Sequence, residues 1–453
     1  MGKTNYCREE WAQWDESAGG KLSFVPESPT DAEATVDELD LALTQGRLSD
    51  HVRATLISAY NQKMATNGGW PAALKQVYKL LFTSAEFHIT NVNLRHGMQV
   101  DPPPPPPTAP PSESEYKAVV VISLFGGMDS FNFLVPYSGC EDEAGAARDY
   151  HAEYTEARGG NALPLDNIVP ISTTGGLFRQ PCEMMGINAD AHGEWLAQLY
   201  NDGDAAFLAN IGCLVETVNK SEVLDGTKRV CPSVGSHNSF YEHMQTLDPE
   251  AELSSRKVDG VLGRIFKVLE EQGLSSALYT TAGTARMLEG GPPQEALNHV
   301  DGVRNLDLEK LNASGYFDEI LSERGTSVFG ETHNRNFKRF VDNSERVGAA
   351  FAAVESEITQ TGPTGFDNPG LSCMTAFKSI AKIIKARNLL GADRDALWTA
   401  YRGFDAHASH GIGGLGGILE CAEVFIRELE SEAGLWDRTT IVLISEFGRT
   451  ISR

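Results

Sequence analysis

Five ionisable residues of this chain each follow closely on an apolar run long enough to form a buried strand. They are Asp129, Asp405, His407, Glu446 and Arg449. Carboxylates and imidazoles bind divalent metal ions and transfer protons, and a guanidinium can hold a phosphate or sulfate oxygen. Together, these residue types indicate chemistry on an anionic group, provided that the fold brings them to one place.

The apolar runs that precede these residues have the composition of strands covered on both faces. Residues 440–444 are β-branched or large apolar residues without alternation, which is typical of a parallel sheet. Residues 116–124 and 396–401 have the same form. Because ligands bind beyond the carboxyl ends of strands in open parallel sheets, we expect the three ends to meet at one edge.

Asp405 and His407 are two residues apart, so their side chains leave the same face if this stretch is extended. A carboxylate and an imidazole side by side are a normal pair of ligands for Zn²⁺ or Mn²⁺, and His410 can complete the set. The alternative is an exposed loop, since an Asp-x-His sequence is common.

Three motifs in this order resemble the domain of unknown function 1501 family, which is grouped with the alkaline-phosphatase and sulfatase superfamily of metal-dependent hydrolases. They are Gly126-Gly-Met-Asp-Ser-Phe-Asn-Phe-Leu-Val-Pro-Tyr137, Gly403-Phe-Asp-Ala-His407 and Ser445-Glu-Phe-Gly-Arg-Thr450. The likeness covers roughly residues 117–453. It implies an alkaline-phosphatase-like α/β fold, in which a mostly parallel sheet has helices on both faces.

The resemblance also implies roles for single residues. Asp129 is expected to bind a metal ion, with a helix N-cap as its alternative role. Glu446 stands where the superfamily more often has an Asp-His pair, and Phe447 takes the histidine position, although a glutamate can still bind metal. Arg449 is expected either to bind a phosphate or sulfate oxygen or to form a salt bridge with Glu446.

The candidate nucleophile is Ser236, which with His237 stands near the place of a Ser-His-Phe motif in that family. The superfamily uses a nucleophile at a helix start, where backbone N–H groups and the helix dipole stabilise an oxyanion. The alternative for Ser236 is a helix N-cap. His237 is expected to be a metal ligand or a general acid-base group.

Composition limits the function classes. The 38 basic and 62 acidic residues give a formal net charge of −24, which argues against a nucleic-acid-binding protein. This charge is interpreted as solubility, or as clustered carboxylates that hold divalent cations such as Zn²⁺, Mn²⁺, Mg²⁺ or Ca²⁺. No run approaches the roughly 18 apolar residues that a membrane span requires. Seven cysteines without a Cys-x-x-Cys pair indicate no zinc framework, but allow one or two disulfides.

The chain divides into three parts. Residues 1–98 form a small helical segment that resembles the C-terminal tail of the domain of unknown function 1800 family, residues 99–115 are a proline-rich linker, and residues 116–453 are the α/β domain. Within the α/β domain, strands alternating with helices predict a parallel sheet. We predict strands at residues 118–124, 204–212 and 276–281, and helices at residues 260–271, 306–324, 334–359, 372–387 and 414–432.

The 1501 family continues beyond its Glu-Phe-Gly-Arg-Thr motif with a segment that contains a Thr-Asp-His motif, whereas this chain stops at Arg453. The α/β domain is therefore expected to be C-terminally incomplete. The predicted function is metal-dependent hydrolysis of a phosphate or sulfate ester, either a small anionic ester or a sulfated or phosphorylated glycan. The alternative is a non-catalytic ligand- or polysaccharide-binding member with a degenerate, truncated metal site.

Overall fold

The computed structural model describes residues 24–66, 68–90, 115–141, 147–171, 185–209, 211–231, 236–248, 258–298, 302–303, 315–323, 327–359, 373–405, 411–432 and 434–451. The contacts divide the chain into two units. One comprises Met1–Pro103 with Asn305–Asn343, and the other comprises Pro104–Arg304 with Ser344–Arg453. The predicted linker falls almost wholly outside the described residues.

The first unit is helical. Its helices are α1 (Ala32–Leu39), α2 (Asp50–Met64), α3 (Gly69–Leu81), α4 (Ala85–His88) and α10 (Tyr316–Leu321), with the first part of α11 (Val328–Ala352). Ser49 accepts a hydrogen bond from the Val52 amide at 3.2 Å and so fixes the start of α2. The core joins the N-terminal helices to Phe317 and Ile320, so residues 305–343 belong to this unit rather than to the α/β unit in which the sequence placed them.

The second unit contains a six-stranded sheet in the order β11-β1-β10-β7-β8-β9. These strands are β1 (Lys117–Leu124), β7 (Ser276–Thr280), β8 (Gln294–Asn298), β9 (Gly302–Val303), β10 (Arg394–Tyr401) and β11 (Thr439–Ser445). All neighbours are parallel except β8 and β9. The prediction of an α/β unit with a mostly parallel sheet is confirmed.

The remaining elements of this unit surround that sheet. The helices are α5 (Tyr150–Arg158), α6 (Gly193–Asp202), α7 (Lys220–Leu224), α8 (His237–Thr246), α9 (Val261–Glu271), α12 (Cys373–Lys385), α13 (Arg387–Leu390) and α14 (Leu415–Glu430), and α11 ends here. The short strands β2 (Leu134–Pro136), β5 (Ile168–Pro170) and β6 (Met185–Asn188) form a second sheet, and β3 (Gly139–Glu141) pairs with β4 (Ala147–Asp149).

The central strands are buried on both faces, as their continuous apolar sequences predict. On one face, Val120 and Ile122 share a core with Phe377 of α12 and Phe425 of α14. On the other face, Trp398 packs in a cluster with Leu262 and Phe266 of α9. Helices therefore cover both faces of the main sheet.

One predicted strand is wrong. The described residues at 204–212 are irregular, and none of them pairs with a strand. Phe207 packs against Phe133 with ring centroids 5.7 Å apart, but Leu208 is 81% exposed and Ile211 is 70% exposed. The apolar run buries Ala205 and Phe207 only in part and leaves their neighbours in solvent. None of the described helices combines the length and apolar character that a membrane crossing requires.

A buried acid lies in the middle of the sheet. Asp395, the second residue of β10, is fully buried and accepts a hydrogen bond from the Tyr116 hydroxyl at 2.8 Å. Burial raises the pKa of Asp395 to about 7, because desolvation raises this pKa by more than the Tyr116 hydrogen bond and the charge of Arg346 lower it. The neutral acid is therefore the form that the folded sheet prefers.

We expect the unfolding free energy to decrease as the pH rises from about 4 to about 7. Unfolded Asp395 loses its proton near its ordinary pKa of 3.8, whereas the buried acid holds its proton up to about pH 7. The folded state binds the additional proton in this window, so each pH unit lowers the free energy by about 1.4 kcal/mol. Asp395→Asn, which keeps an oxygen for Tyr116, should remove this slope in urea denaturation.

Asp437→Asn provides the matched control, because it removes a carboxylate that is exposed on the surface of the same unit. Parallel stability-versus-pH curves for wild type and Asp395→Asn would contradict the assignment of a neutral acid at this position.

Candidate functional site

The register of the sheet brings three loops together. Leu124, the last residue of β1, is paired with Tyr401 of β10 on one side and with Ser445 of β11 on the other. The loops that leave these strands therefore start at the same level at the carboxyl edge. This edge is where the sequence predicted the site, and it receives Asp129, Asp405, Glu446 and Arg449.

Two glycines let the loops approach one another. Gly126 and Gly127 have positive φ values of 115° and 75°, a region that glycine adopts without steric cost. A Cβ atom on Gly126 would overlap the backbone of Asp405, and one on Gly127 would overlap the ring of Phe447. The close contact of the three loops therefore requires glycine at both positions.

Arg449 joins the three loops through its guanidinium group. Nε donates to the Gly127 carbonyl at 2.8 Å, and Nη2 donates to the carbonyls of Gly126 and Phe404 and to Asp405 Oδ1 at 2.7 Å. The side chain is 12% exposed. Its partner is thus Asp405, not the Glu446 that the sequence offered as an alternative, and most of its donors are used inside the protein.

His237 is the first residue of α8 and lies directly over this edge. Its Nδ1 is 2.6 Å from Glu446 Oε1, which also accepts the Gly126 amide at 2.8 Å. Because a carboxylate oxygen accepts hydrogen bonds, this contact places the proton on Nδ1. Glu446, whose side chain is 3% exposed, is therefore in position to orient the imidazole.

The second nitrogen of the same ring faces solvent and Asp405. Nε2 lies 3.6 Å from Asp405 Oδ2, and the side chains of His237 and Asp405 are 42% and 44% exposed. With the proton on Nδ1, this contact brings an imidazole lone pair close to a carboxylate oxygen. A cation shared by the two groups, either a proton or a metal ion, stabilises such an approach.

Asp129 takes part in a different interaction. Its carboxylate forms an ion pair with Arg158 of α5, and both side chains are 1% exposed. Arg158 also donates to the Thr450 carbonyl at 3.2 Å, so it connects the β1 and β11 loops. Asp129 is the N-cap residue of the short 3₁₀ turn Ser130–Asn132, but its side chain makes no capping hydrogen bond. Its buried charge is compensated by a guanidinium.

Ser236 occupies the N-cap position of α8, and its side chain makes no capping hydrogen bond. It is thus adjacent in sequence to His237 at the start of a ten-residue helix. His407 and His410, the other predicted imidazole ligands, lie outside the described residues.

Aromatic residues line one side of the site. Phe447 contacts His237 with ring centroids 5.2 Å apart and Phe240 at 5.5 Å. Tyr241 packs on Phe125 at 4.5 Å, and burial raises the pKa of its phenol well above the ordinary value. The Tyr241 phenol therefore stays protonated at neutral pH and cannot serve as a general base.

Sequence reasoning missed two features of this region. Arg158 lies at the end of α5, and no local pattern connects it with Asp129. The described residues also contain one group of potential metal ligands whose donor atoms lie within 4.8 Å of one another, Cys213, Cys231 and His243. Cys213 and Cys231 form a disulfide in this structure. The described members of the predicted metal set, Asp129, Asp405 and Glu446, do not form such a group.

A scan against models of protein families, a search of curated proteins and a search of solved structures each found no match to this chain.

We expect Gly127→Ala to destabilise the protein by about 2–5 kcal/mol. The left-handed backbone costs a non-glycine residue about 1–2 kcal/mol, and displacement of the Phe447 ring adds about 1–3 kcal/mol. Gly273→Ala is the matched control, since Gly273 has a φ of 84° and nothing within 4 Å of its added Cβ. Chemical denaturation should show a larger loss for Gly127→Ala, and equal losses would contradict the close contact with Phe447.

Proposed function

We propose that the α/β unit is an alkaline-phosphatase-like member of the domain of unknown function 1501 family and hydrolyses phosphate or sulfate esters with the aid of a divalent metal ion. The observation that carries this proposal is the ordered set Glu446–His237–Asp405 at the carboxyl edge of a parallel sheet. The three sequence motifs that resemble the family supply loops that meet at this edge.

The donor set fits a metal ion of the zinc or manganese type. In a tetrahedral site with Zn–N and Zn–O bonds of about 2.0–2.2 Å, neighbouring donors are about 3.4 Å apart. His237 Nε2 and Asp405 Oδ2 are separated by 3.6 Å. A histidine ligand usually donates its second ring N–H to a carboxylate, which is the relation between Nδ1 and Glu446. We therefore assign Nε2 and Asp405 as ligands and Glu446 as the residue that orients His237.

The charge of the site supports a metal-dependent rather than a metal-independent reaction. An anionic ester that approaches Asp405 and Glu446 meets like charges, and the Arg449 guanidinium is largely occupied by Asp405 and backbone carbonyls. A bound divalent cation supplies the charge neutralisation of the ester and lowers the pKa of a coordinated water. The protein contributes the orientation of His237 and a position for the reacting hydroxyl.

The nucleophile is the Ser236 hydroxyl or a water molecule. Ser236 lies at the N-terminus of α8, where backbone N–H groups and the helix dipole favour an oxyanion. Small aryl phosphates and aryl sulfates are the simplest probes of both ester classes.

We expect Asp405→Asn and His237→Gln to reduce turnover of an aryl phosphate or aryl sulfate by at least about 10²-fold and to weaken Zn²⁺ or Mn²⁺ binding, because each removes a proposed metal ligand and loss of an outer-shell partner alone costs about 10–100-fold. Glu446→Gln should cost about 10–100-fold, because it disturbs only the orientation of the ring. Rates with added metal and titration calorimetry measure both effects.

His192→Gln is the matched control. His192 Nε2 forms a comparable contact of 2.5 Å with Glu423, and neither residue belongs to the Glu446–His237–Asp405 set. This variant should retain full activity. Unchanged rates in Asp405→Asn would contradict the site, and a wild-type protein that folds without metal and shows no turnover would support the alternative, a non-catalytic ligand- or polysaccharide-binding protein.

The variant Ser236→Ala distinguishes between the Ser236 hydroxyl and a water molecule as the nucleophile. If the hydroxyl reacts, the variant should lose at least about 10²-fold in kcat while its metal affinity stays unchanged. Ser221→Ala, in the exposed helix α7, controls for the loss of a hydroxyl. A Ser236→Ala variant with wild-type kcat would assign the attack to water.

A further inference from the structure

A second group of potential ligand side chains includes one residue of α8, the helix that begins at His237, and two cysteines that precede this helix. Cys231 precedes α8, His243 is on its second turn, and Cys213 lies in the irregular segment that leads to them. The Cys213 sulfur is 3.5 Å from His243 Nδ1, and the donor atoms of all three residues lie within 4.8 Å of one another.

His243 is placed unusually for a structural residue. It is 5% exposed, and its Nε2 is buried without a hydrogen-bond partner among the described residues. A buried polar nitrogen normally finds a partner, because its desolvation is costly. The contact with the Cys213 sulfur is made by the other ring nitrogen, Nδ1, so the unpartnered Nε2 is not the nitrogen that faces the sulfurs. The other disulfide, Cys373–Cys421, is not part of a ligand group in the described part of the chain.

The distance between the Cys213 sulfur and His243 Nδ1 matches that of two ligands in a tetrahedral thiolate site, whereas the two sulfurs are bonded to each other. Zn–S bonds of about 2.3 Å and Zn–N bonds of about 2.0–2.1 Å place a sulfur and an imidazole nitrogen about 3.6 Å apart. The observed separation is 3.5 Å. Two thiolates and one imidazole leave a fourth position for water, which is a known ligand arrangement for zinc.

We propose that Cys213, Cys231 and His243 form a redox-gated site for a divalent metal ion of the zinc type. In the oxidised protein the two sulfurs are bonded to each other, so neither is a thiolate and the site is closed. In the reduced protein both sulfurs are available as ligands.

The opening step is a two-electron reduction by a dithiol. The dithiol transfers two electrons and two protons, its own sulfurs become a disulfide, and the Cys213–Cys231 bond is replaced by two thiols. Metal binding then forms two metal–sulfur bonds and one metal–nitrogen bond, and releases the two thiol protons to solvent. In the reverse step, the two thiolates transfer two electrons to the disulfide form of the dithiol, which takes up two protons and becomes the dithiol again, while the metal ion leaves and the Cys213–Cys231 bond reforms.

The segment that carries Cys213 is suited to the required movement. The two sulfurs must separate when the metal ion binds, and the neighbours Ile211 and Leu214 are 70% and 59% exposed. The 18-residue separation between the cysteines contains one helix of five residues. Cys213 can therefore shift without disturbing the sheet. Meanwhile His243 stays on α8, and Cys231 stays in the segment that precedes this helix.

The full-length protein tests this proposal. It is reduced with dithiothreitol under argon, freed of reductant and titrated with Co²⁺, whose thiolate complexes show a charge-transfer absorption band. We expect one Co²⁺ per chain with this band in the reduced protein and none in the oxidised protein, and Zn²⁺ should displace Co²⁺. The band should be lost in the double variant Cys213→Ser/Cys231→Ser.

His243→Gln keeps the disulfide and so tests the imidazole in a protein that folds in the oxidised state. Loss of an outer-shell partner alone costs about 10–100-fold in metal affinity, so loss of this ligand should weaken Co²⁺ binding by at least about tenfold. His192→Gln is the control, and circular dichroism verifies folding. Cys7, Cys140, Cys182, Cys373 and Cys421 remain in every variant as a background for adventitious binding, because dithiothreitol also reduces the Cys373–Cys421 disulfide.

Three results would overturn the proposal: equal Co²⁺ binding by oxidised and reduced protein, an unchanged band in the double cysteine variant, or unchanged affinity in His243→Gln. None of the three residues belongs to the Glu446–His237–Asp405 set. The outcome is therefore independent of the hydrolase proposal.

Discussion

The parallel pairing of β1 with both β10 and β11 is the constraint on which the candidate site depends. Because the three strands end in register, residues that are more than 300 positions apart in the chain lie within hydrogen-bond distance, as the Gly126 amide and Glu446 do. Arg449 then fixes the loops by donating to carbonyls of two of them and to Asp405. The loops around the site are thus held by the Arg449 guanidinium and by that of Arg158, which connects the β1 and β11 loops. His237 and Asp405 provide the solvent-facing groups.

The Arg158 guanidinium compensates the charge of a buried carboxylate, that of Asp129. Asp129 and Arg158 are almost completely buried, and removal of one partner from such a pair typically costs about 3–5 kcal/mol. Asp405 is likewise compensated by Arg449. The acidic character that the sequence shows at the strand ends therefore becomes, in the folded unit, a mixture of internal ion pairs and one exposed imidazole–carboxylate contact. Because the carboxylates of Asp129 and Asp405 are paired with guanidinium groups, the oriented His237 ring sets the chemistry of the carboxyl edge of the sheet.

The sequence predicted the elements whose signals are local. The strands β1, β10 and β11 follow from unbroken apolar runs, and α9, α12 and α14 follow from helical periodicity. The strand expected at residues 204–212 failed because an apolar run does not by itself supply a pairing partner. The sequence also predicted that the carboxyl edge of the sheet carries Asp129, Asp405, Glu446 and Arg449. The partner of Arg449 and the role of Arg158 could not be predicted, because they depend on contacts between distant segments. The sequence spacing of Cys213, Cys231 and His243 matches no metal-binding motif, so their proximity becomes evident only in the structure.

The helical unit has a consequence for the order in which the protein can fold during synthesis. Its core joins helices from the first ninety residues to Phe317, Ile320 and Val341, and His51 contacts the Glu319 carbonyl across 268 residues of sequence. At a translation rate of about 5–20 residues per second, the early helices wait on the order of tens of seconds for these partners. During that interval the apolar faces of α2 and α3 are exposed on the nascent chain, which makes them natural targets for chaperones that recognise apolar segments.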